Sequence, residues 1–501
     1  MITIQLSKED FWANKAEGYF FLLREDFKIT SDLNVIESEN YPRLKEILKK
    51  HKFEGKKDQS FVLTGERDGK LVQFVFLGLG KVSKSFHKNL TNLRATIHKL
   101  VALAKNLEIP EGVLKISDAD SFGDTMKEVV KQICVASHFA DYKFTTFKTK
   151  EDEKKEFNLK LNLIVDTHEK HKDLQESLNQ GNIIGSAVNI ARNWEDLPPN
   201  VLNPTYFAKE VEKIAKERKL KSRIFGRKKA VELGMGGFAA VDAGSDQDGK
   251  FIVIEYKVNS KKAPTIVLVG KGVTFDSGGI SLKPSRAMTG MKFDMCGAAA
   301  VMATLQAIAQ LKPDINVVGL AAVVENMPSG KCTKQDDIIT FMNGKTCEIQ
   351  NTDAEGRLIL ADTLCYAEKF CKPDVILDIA TLTGAVVVAL SHFFTAVLTR
   401  DDELFKKLEK SGSLTGDRLW RLPLDDLFSP ALKSDFADIS NIGKPNYSGG
   451  TITAGMFLEN FVEKTKWAHL DIAGTSNEVP GISGATGVGV KLFIDYILNY
   501  K

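Results

Sequence analysis

Residues 351–358 read Asn-Thr-Asp-Ala-Glu-Gly-Arg-Leu, and within them Asp353, Glu355 and Arg357 alternate with small or polar residues. In an extended segment that alternation turns all three side chains to one face, bringing two acids and a cation into one small volume. Burying uncompensated carboxylates is costly, so a packed core rarely keeps such a cluster, and a metal ion would remove the cost. Upstream, Thr265–Gly270 is a short apolar, β-branched run that reads as a buried strand. It empties into a glycine-dense exit, Lys271-Gly272-Val273-Thr274-Phe275-Asp276-Ser277-Gly278-Gly279-Ile280-Ser281-Leu282-Lys283-Pro284. Such exits also cradle phosphates, but the spacing fits neither GxGxxG nor GxxxxGK[ST]. A further acid, Asp294, stands just ahead of the small-residue run Gly297–Ala300.

The elements that must position these residues follow from pattern. From residue 250 onward apolar strands alternate with helices: 251–256, 265–270, 298–311, 315–324, 358–370 and 375–380. The alternation predicts an α/β domain with a mainly parallel central sheet flanked by helices. Ligand sites in such sheets lie beyond the carboxyl ends of the strands, where Lys271, Asp353 and Thr381 are expected. The first 170 residues mix strand-like runs (60–64, 71–80) with helical spacing over 90–105, and predict a smaller N-terminal α/β domain. The charged stretch 148–156 reads as a solvated connector, and 174–191 as an amphipathic joining helix. Pro198-Pro199 ends any helix there, and Asn203-Pro204 starts the next. The expected division is residues 1–172, a linking helix over 173–195, and a catalytic domain over 196–501.

A chain of 501 residues, 43% hydrophobic, can bury large cores. Its 68 basic and 65 acidic residues give a net charge of +3, which exerts no general pull toward nucleic acid or an anionic membrane. The basic stretch 209–229 carries Val211, Ile214 and Ala215 at helical spacing, and is read as a helix with a basic solvent face rather than a nucleic-acid patch. The amino terminus has no secretory pattern, and runs such as 385–390 fall short of the roughly 20 residues that span a bilayer. The six cysteines form no CxxC pair, so reduced thiols and a cytoplasmic location are expected. Cys296 is read as a small core residue and His469, in an apolar run, as structural. The two glycosylation-like triplets at Asn89 and Asn446 are read as chance.

Together these segments resemble the leucyl aminopeptidase family of two-metal exopeptidases. The resemblance is carried by Lys271, Asp276, Lys283, Met288, Asp294, Asp353, Glu355 and Arg357 in order, then by Asp378-Ile379-Ala380-Thr381-Leu382-Thr383-Gly384-Ala385, Trp420-Arg421-Leu422-Pro423 and Trp467-Ala468-His469-Leu470-Asp471-Ile472-Ala473-Gly474. It covers roughly residues 180–501. The chain departs from the family's pattern at Lys334-Gln335-Asp336-Asp337, where Arg-Pro-Gly-Asp is common, and at Arg192-Asn193-Trp194-Glu195-Asp196; neither stretch holds a proposed ligand.

The resemblance implies a macro-domain-like N-terminal domain, a cytoplasmic homohexamer, peptide substrates, and two divalent ions per subunit, Mn²⁺ or Zn²⁺. None of the eight histidines forms an HExxH pair, oxygen ligands suit such ions, and five ligands exceed the need of one tetrahedral zinc. By the resemblance Asp276 and Glu355 bridge both ions, Asp353 completes one site, and Lys271 with Asp294 completes the other. Lys271 can ligate only when neutral; its other reading is a salt bridge to one of these acids. A metal-bridged hydroxide would attack the amide, Lys283 would stabilise the oxyanion, and binding of the free α-amine would restrict cleavage to the first residue. Arg357 would hold a bicarbonate acting as base, or else pair with Asp353 or Glu355. Met288, Thr381 and Gly384 match positions lining a pocket for leucine-like side chains, though Met288 reads equally as core. The competing functions are a two-metal phosphoesterase and a non-catalytic binding or regulatory protein on the same scaffold.

Overall fold

The computed structural model describes residues 1–25, 27–117, 122, 125–150, 157–260 and 262–500. Of the charged connector, 151–156 lie outside the described residues. The chain divides into two compact α/β units, Met1–Ser186 and Ala187–Lys501. The division falls within one long helix, His171–Asp196, which extends beyond both ends of the helical pattern in the sequence.

In the first unit, strands β1 (Ile2–Leu6), β2 (Gly18–Arg24), β3 (Ser60–Arg67), β4 (Lys70–Gly80), β5 (Glu111–Ser117) and β6 (Leu159–Asp166) form one sheet in the order β1-β6-β5-β2-β4-β3. All pairs are parallel except β3 on β4, the hairpin at the edge. The helix Phe86–Asn106 turns Leu90, Leu93, Ile97, Leu100, Val101 and Ala104 inward, the helical spacing seen in the sequence. Asn89 is buried in that helix and holds the backbone of Ser83, which leaves no room for a glycan.

The second unit is built on strands β7 (Lys221–Gly226), β8 (Lys250–Tyr256), β9 (Thr265–Asp276), β10 (Asn316–Asn326), β11 (Ile338–Thr340), β12 (Thr346–Glu348), β13 (Val375–Ala380), β14 (Thr395–Leu398), β15 (Leu419–Arg421), β16 (Ile439–Ser440) and β17 (Lys466–Asp471). Eight of them form the main sheet, β15-β14-β17-β13-β9-β10-β8-β7, and β11-β12-β16 form a small second one. The central four, β17, β13, β9 and β10, are mutually parallel, and antiparallel pairs flank them on both sides. Residues 266–274 of β9 and 317–324 of β10 are buried without alternation, as expected of strands covered on both faces.

The sequence places the end of β9 at Gly270, but the strand continues to Asp276 because β10 pairs with it as far as Asn326. Lys271 therefore sits inside the strand, one step past the β13 residue that faces Gly270. Glycine at 270 lets the helix Cys296–Leu311 close on the sheet, since a Cβ there would lie 2.5 Å from the Gly297 carbonyl oxygen. The stretch Ser285–Leu311 is long and apolar enough to cross a membrane by composition, yet 83% of its most apolar window is buried in this core. Asn203 caps the helix Pro204–Glu217 by accepting from the Tyr206 N–H at 2.9 Å, and Val211 and Ala215 are buried in that helix.

Candidate metal centre

Four acids converge where β9 and β10 end. The end of β9 carries Asp276. Asp294 precedes the helix Cys296–Leu311. Asp353 lies in the turn 351–354, and Glu355 stands at the head of the helix Gly356–Tyr366. The extended arrangement expected for 353–357 does not form. The apolar stretch after Gly356 is a buried helix that already includes Arg357, and the acids meet through the turn in front of it. Oxygens of Asp276, Asp353 and Glu355 lie within 4.8 Å of one another.

Two lysines compensate this charge. The Nζ of Lys271 is 2.9 Å from Asp294 Oδ1 and 2.8 Å from Glu355 Oε1, and donates to the Thr381 carbonyl at 2.8 Å. Lys283 Nζ is 2.8 Å from Asp276 Oδ2 and also pairs with Asp353. Burial opposes the charge on Lys271, but Asp294, Glu355 and Asp276 outweigh it and hold its pKa above the ordinary lysine value. The geometry is thus that of the salt-bridge reading, with both ammonium groups where positive charge is needed. Burial raises the carboxyl pKa values of Asp294, Asp353 and Glu355, and neighbouring acids add to the effect. Glycine at 356 is required by Lys271, whose Nζ would stand 2.6 Å from a Cβ there.

The donor set fits divalent ions. Three carboxylates share one small volume, and Asp294 Oδ2 is buried with no hydrogen-bond partner among the described residues. A buried carboxylate oxygen left in that state calls for a cation. Asp276 Oδ1 accepts from the Gly278 N–H at 2.9 Å and from Asn326 Nδ2 at 2.8 Å, so its orientation is fixed while Oδ2 faces Lys283.

Thr381 does more than its sequence position suggests. Its carbonyl takes Lys271, and its hydroxyl donates to Asp294 Oδ1 at 2.7 Å. Arg357 is buried behind the acids. It pairs with neither Asp353 nor Glu355 among the described residues, and its Nη1 donates to the Asn441 carbonyl at 2.8 Å while Nε has no partner. Burial pushes its pKa down to about 10 against the pull of Glu355 and Asp471. A buried guanidinium with a spare N–H is suited to holding a small anion. Met288, half-buried on the short helix Ser285–Met288, and Gly384, exposed at the start of Gly384–Leu390, lie outside the hydrogen-bonded cluster. A Cβ at Gly384 would meet open space. Cys296 is a fully buried core residue. His469 is structural in part: its Nδ1 is 2.5 Å from Asp378 Oδ1, but Nε2 is buried without a partner.

Asn326 and Asn441 escaped the sequence reading. Asn326 bonds Asp276 and also the Thr352 carbonyl, at 3.0 Å. A lone asparagine at a strand end looks like a turn residue, and only the neighbouring positions of β9 and β10 reveal its task.

The catalytic-domain model of the cytosol aminopeptidase family matches residues 189–494, and that family's N-terminal-domain model matches 20–151. This chain belongs to the cytosol aminopeptidase family. Its relatives in that family include a probable cytosol aminopeptidase of Nitrosospira multiformis, 39% identical over 95% of this chain and 91% of that protein. Another from Pseudomonas syringae pv. tomato is 42% identical over 90% of each chain, and one from Methylibium petroleiphilum is 48% identical over 68% of this chain and 69% of that protein. The chain is therefore an aminopeptidase, a hydrolase acting on peptides.

The two departures from the family pattern differ in setting. Lys334–Asp337 is a surface turn closed by Asp337 on the Lys334 backbone and ammonium. Glu195 is buried, accepts from the Gly487 N–H at 3.1 Å, and leaves Oε1 without a partner. Burial pushes its pKa up to about 8. The folded form then holds a proton that the unfolded chain has released, so stability is full below the ordinary glutamate range and declines as pH rises to about 8. The slope is about 1.4 kcal/mol per pH unit for one group. Glu195→Gln is expected to flatten the fall in Tm between pH 5 and pH 8, measured by thermal melts of both proteins; parallel Tm–pH curves would refute it.

Proposed function

We propose that this chain is a metal-dependent leucyl aminopeptidase that removes amino-terminal, leucine-like residues from peptides. The observation that supports it is the convergence of Asp276, Asp353 and Glu355 beside the unpartnered oxygen of Asp294. Asp276, Asp294, Asp353 and Glu355 would hold two divalent ions, Mn²⁺ or Zn²⁺, and Lys271, an ammonium paired with Asp294 and Glu355 here, would join the ligands once the ions favoured its neutral form. When bound, such a pair supplies Lewis acidity and an activated water at neutral pH.

The protein's own groups do the rest. Lys283, held by Asp276 and Asp353, is placed to neutralise charge that develops on the carbonyl oxygen. Arg357, buried with its Nε unpartnered, would hold a small anion such as bicarbonate, which would supply a general base. Met288, Thr381 and Gly384 receive the first side chain, and the open space at Gly384 leaves room for a branched one. The substrate's free amine belongs to the same acidic cluster, which sets the cut one residue from the end. We place the enzyme in the cytoplasm as a homohexamer, in keeping with the family resemblance.

Free Leu-initiated peptides should be cleaved one residue at a time from the amino end, and their N-acetylated forms should be inert, as followed by mass spectrometry with added Mn²⁺ or Zn²⁺. Efficient internal cleavage of a blocked peptide would sink the exopeptidase reading. Turnover of a nitrophenyl phosphate with none of a leucyl anilide would return the phosphoesterase alternative.

A further inference from the structure

One residue ties the ligand-bearing turn to Arg357. Asn441 is fully buried just beyond β16. Its side-chain Oδ1 accepts from the Gln350 N–H at 2.8 Å and the Asn351 N–H at 3.3 Å, and its Nδ2 donates to the Asn351 carbonyl at 2.6 Å and the Ala354 carbonyl at 3.5 Å. Its backbone carbonyl accepts from Arg357 Nη1, and its N–H donates to the Glu348 carbonyl at 3.1 Å. The side chain therefore grips the chain on both sides of Asp353, and the backbone grips the guanidinium two residues past Glu355. No other described residue makes both contacts.

We propose that Asn441 is a positioning residue for the reaction, fixing the distance between the carboxylates of Asp353 and Glu355 and the guanidinium of Arg357. The physical case is one of geometry. The turn 351–354 leads straight into a helix and is closed by Ala354 N–H to the Asn351 carbonyl at 3.2 Å and Asp353 N–H to Asn351 Oδ1 at 2.8 Å. Thr352 ties it to the loop after β9 and to β10, its N–H donating to Ser281 Oγ at 3.2 Å and its carbonyl accepting from Asn326 at 3.0 Å. Asn351 is thus both the anchor of Asp353 and the main partner of the Asn441 amide. Groups behind a metal site orient its ligands, and their removal typically costs about 10- to 100-fold in metal affinity or activity. A misplacement of about 1 Å in a catalytic group costs a similar factor in rate. Backbone placement of the Arg357 contact means that a side-chain substitution tests the grip on the turn alone.

This inference rests on the metallopeptidase reading, so the test includes measurements that do not need activity. In Asn441→Ala, amide hydrogen exchange over 350–358 should rise, Mn²⁺ affinity by calorimetry should fall about 10- to 100-fold, and kcat should fall by a similar factor with KM within about threefold. In an Arg357→Ala background, Asn441→Ala should cost less than it does alone, because the two act on one geometry. Asn441→Asp keeps the acceptor and loses both donors, and its exchange should be intermediate. A lowered Tm with exchange at 350–358, Mn²⁺ affinity and kcat all unchanged would reduce Asn441 to a structural residue and overturn the proposal. Were the wild-type protein to bind no divalent ion and cleave no peptide, the functional reading would fail. Hydrogen exchange would then decide the positioning role by itself.

Discussion

Glu355→Gln is expected to abolish peptide hydrolysis, with kcat/KM falling by at least about 10³-fold, the scale on which a dominant electrostatic group acts, while the circular dichroism spectrum stays that of the wild type. Glu355 is buried at the head of the helix Gly356–Tyr366 and touches Lys271. The amide is nearly isosteric, so packing survives, but the charge that would hold metal is gone. Asp353→Asn should behave alike, with a smaller structural cost because Asp353 is only half-buried. Near wild-type turnover in a fully metallated Glu355→Gln protein would remove the bridging role.

The two lysines should separate sharply. Lys271 is buried between Asp294 and Glu355, and Lys271→Ala leaves both acids without their cation. Breaking a buried pair by removing one partner costs about 3–5 kcal/mol. Without metal the variant should therefore unfold at clearly lower denaturant concentration, and with metal added it should show reduced occupancy of one site. Lys283 is less buried, and its partner Asp353 is half-exposed, so Lys283→Ala should keep the fold and both metals and mainly lower kcat. Metal stoichiometry and urea titrations on both variants decide the matter. If Lys283→Ala empties a site while Lys271→Ala does not, the two assignments are reversed.

Much of this was legible in the sequence for identifiable reasons. β13 was read at its true limits, and β8 and β10 to within two residues, because buried strands form unbroken apolar runs. The acids and lysines were legible because few cores hold so many charges so close together. The helix Gly356–Tyr366 was read over 358–370 from its apolar run, but 353–357 was misread as extended, because charged residues alternating with small ones look the same in a strand as in a turn that leads into a helix. The sheet β11-β12-β16 was invisible, since strands of two or three residues carry no pattern. With it went Asn441, whose place depends on β16 lying beside β12. Thr381 was read through the family as pocket lining. Its two bonds to Lys271 and Asp294 appear only once β13 lies next to β9.

The order of the main sheet bears on how the enzyme comes into being. β17, the last strand in the chain, is inserted in the interior between β14 and β13 rather than added at an edge. Its final residue, Asp471, accepts from the Leu382 N–H at 3.1 Å and the Thr383 hydroxyl at 2.6 Å, and so holds the loop on which Thr381 orients Lys271 and Asp294. Folding during synthesis proceeds from the amino end, yet here a gap stays open in the middle of the sheet until residue 471 has left the ribosome. A growing chain therefore lacks the Asp471 support of the Thr381 loop, and with it a finished site, until nearly all of the sequence has been made.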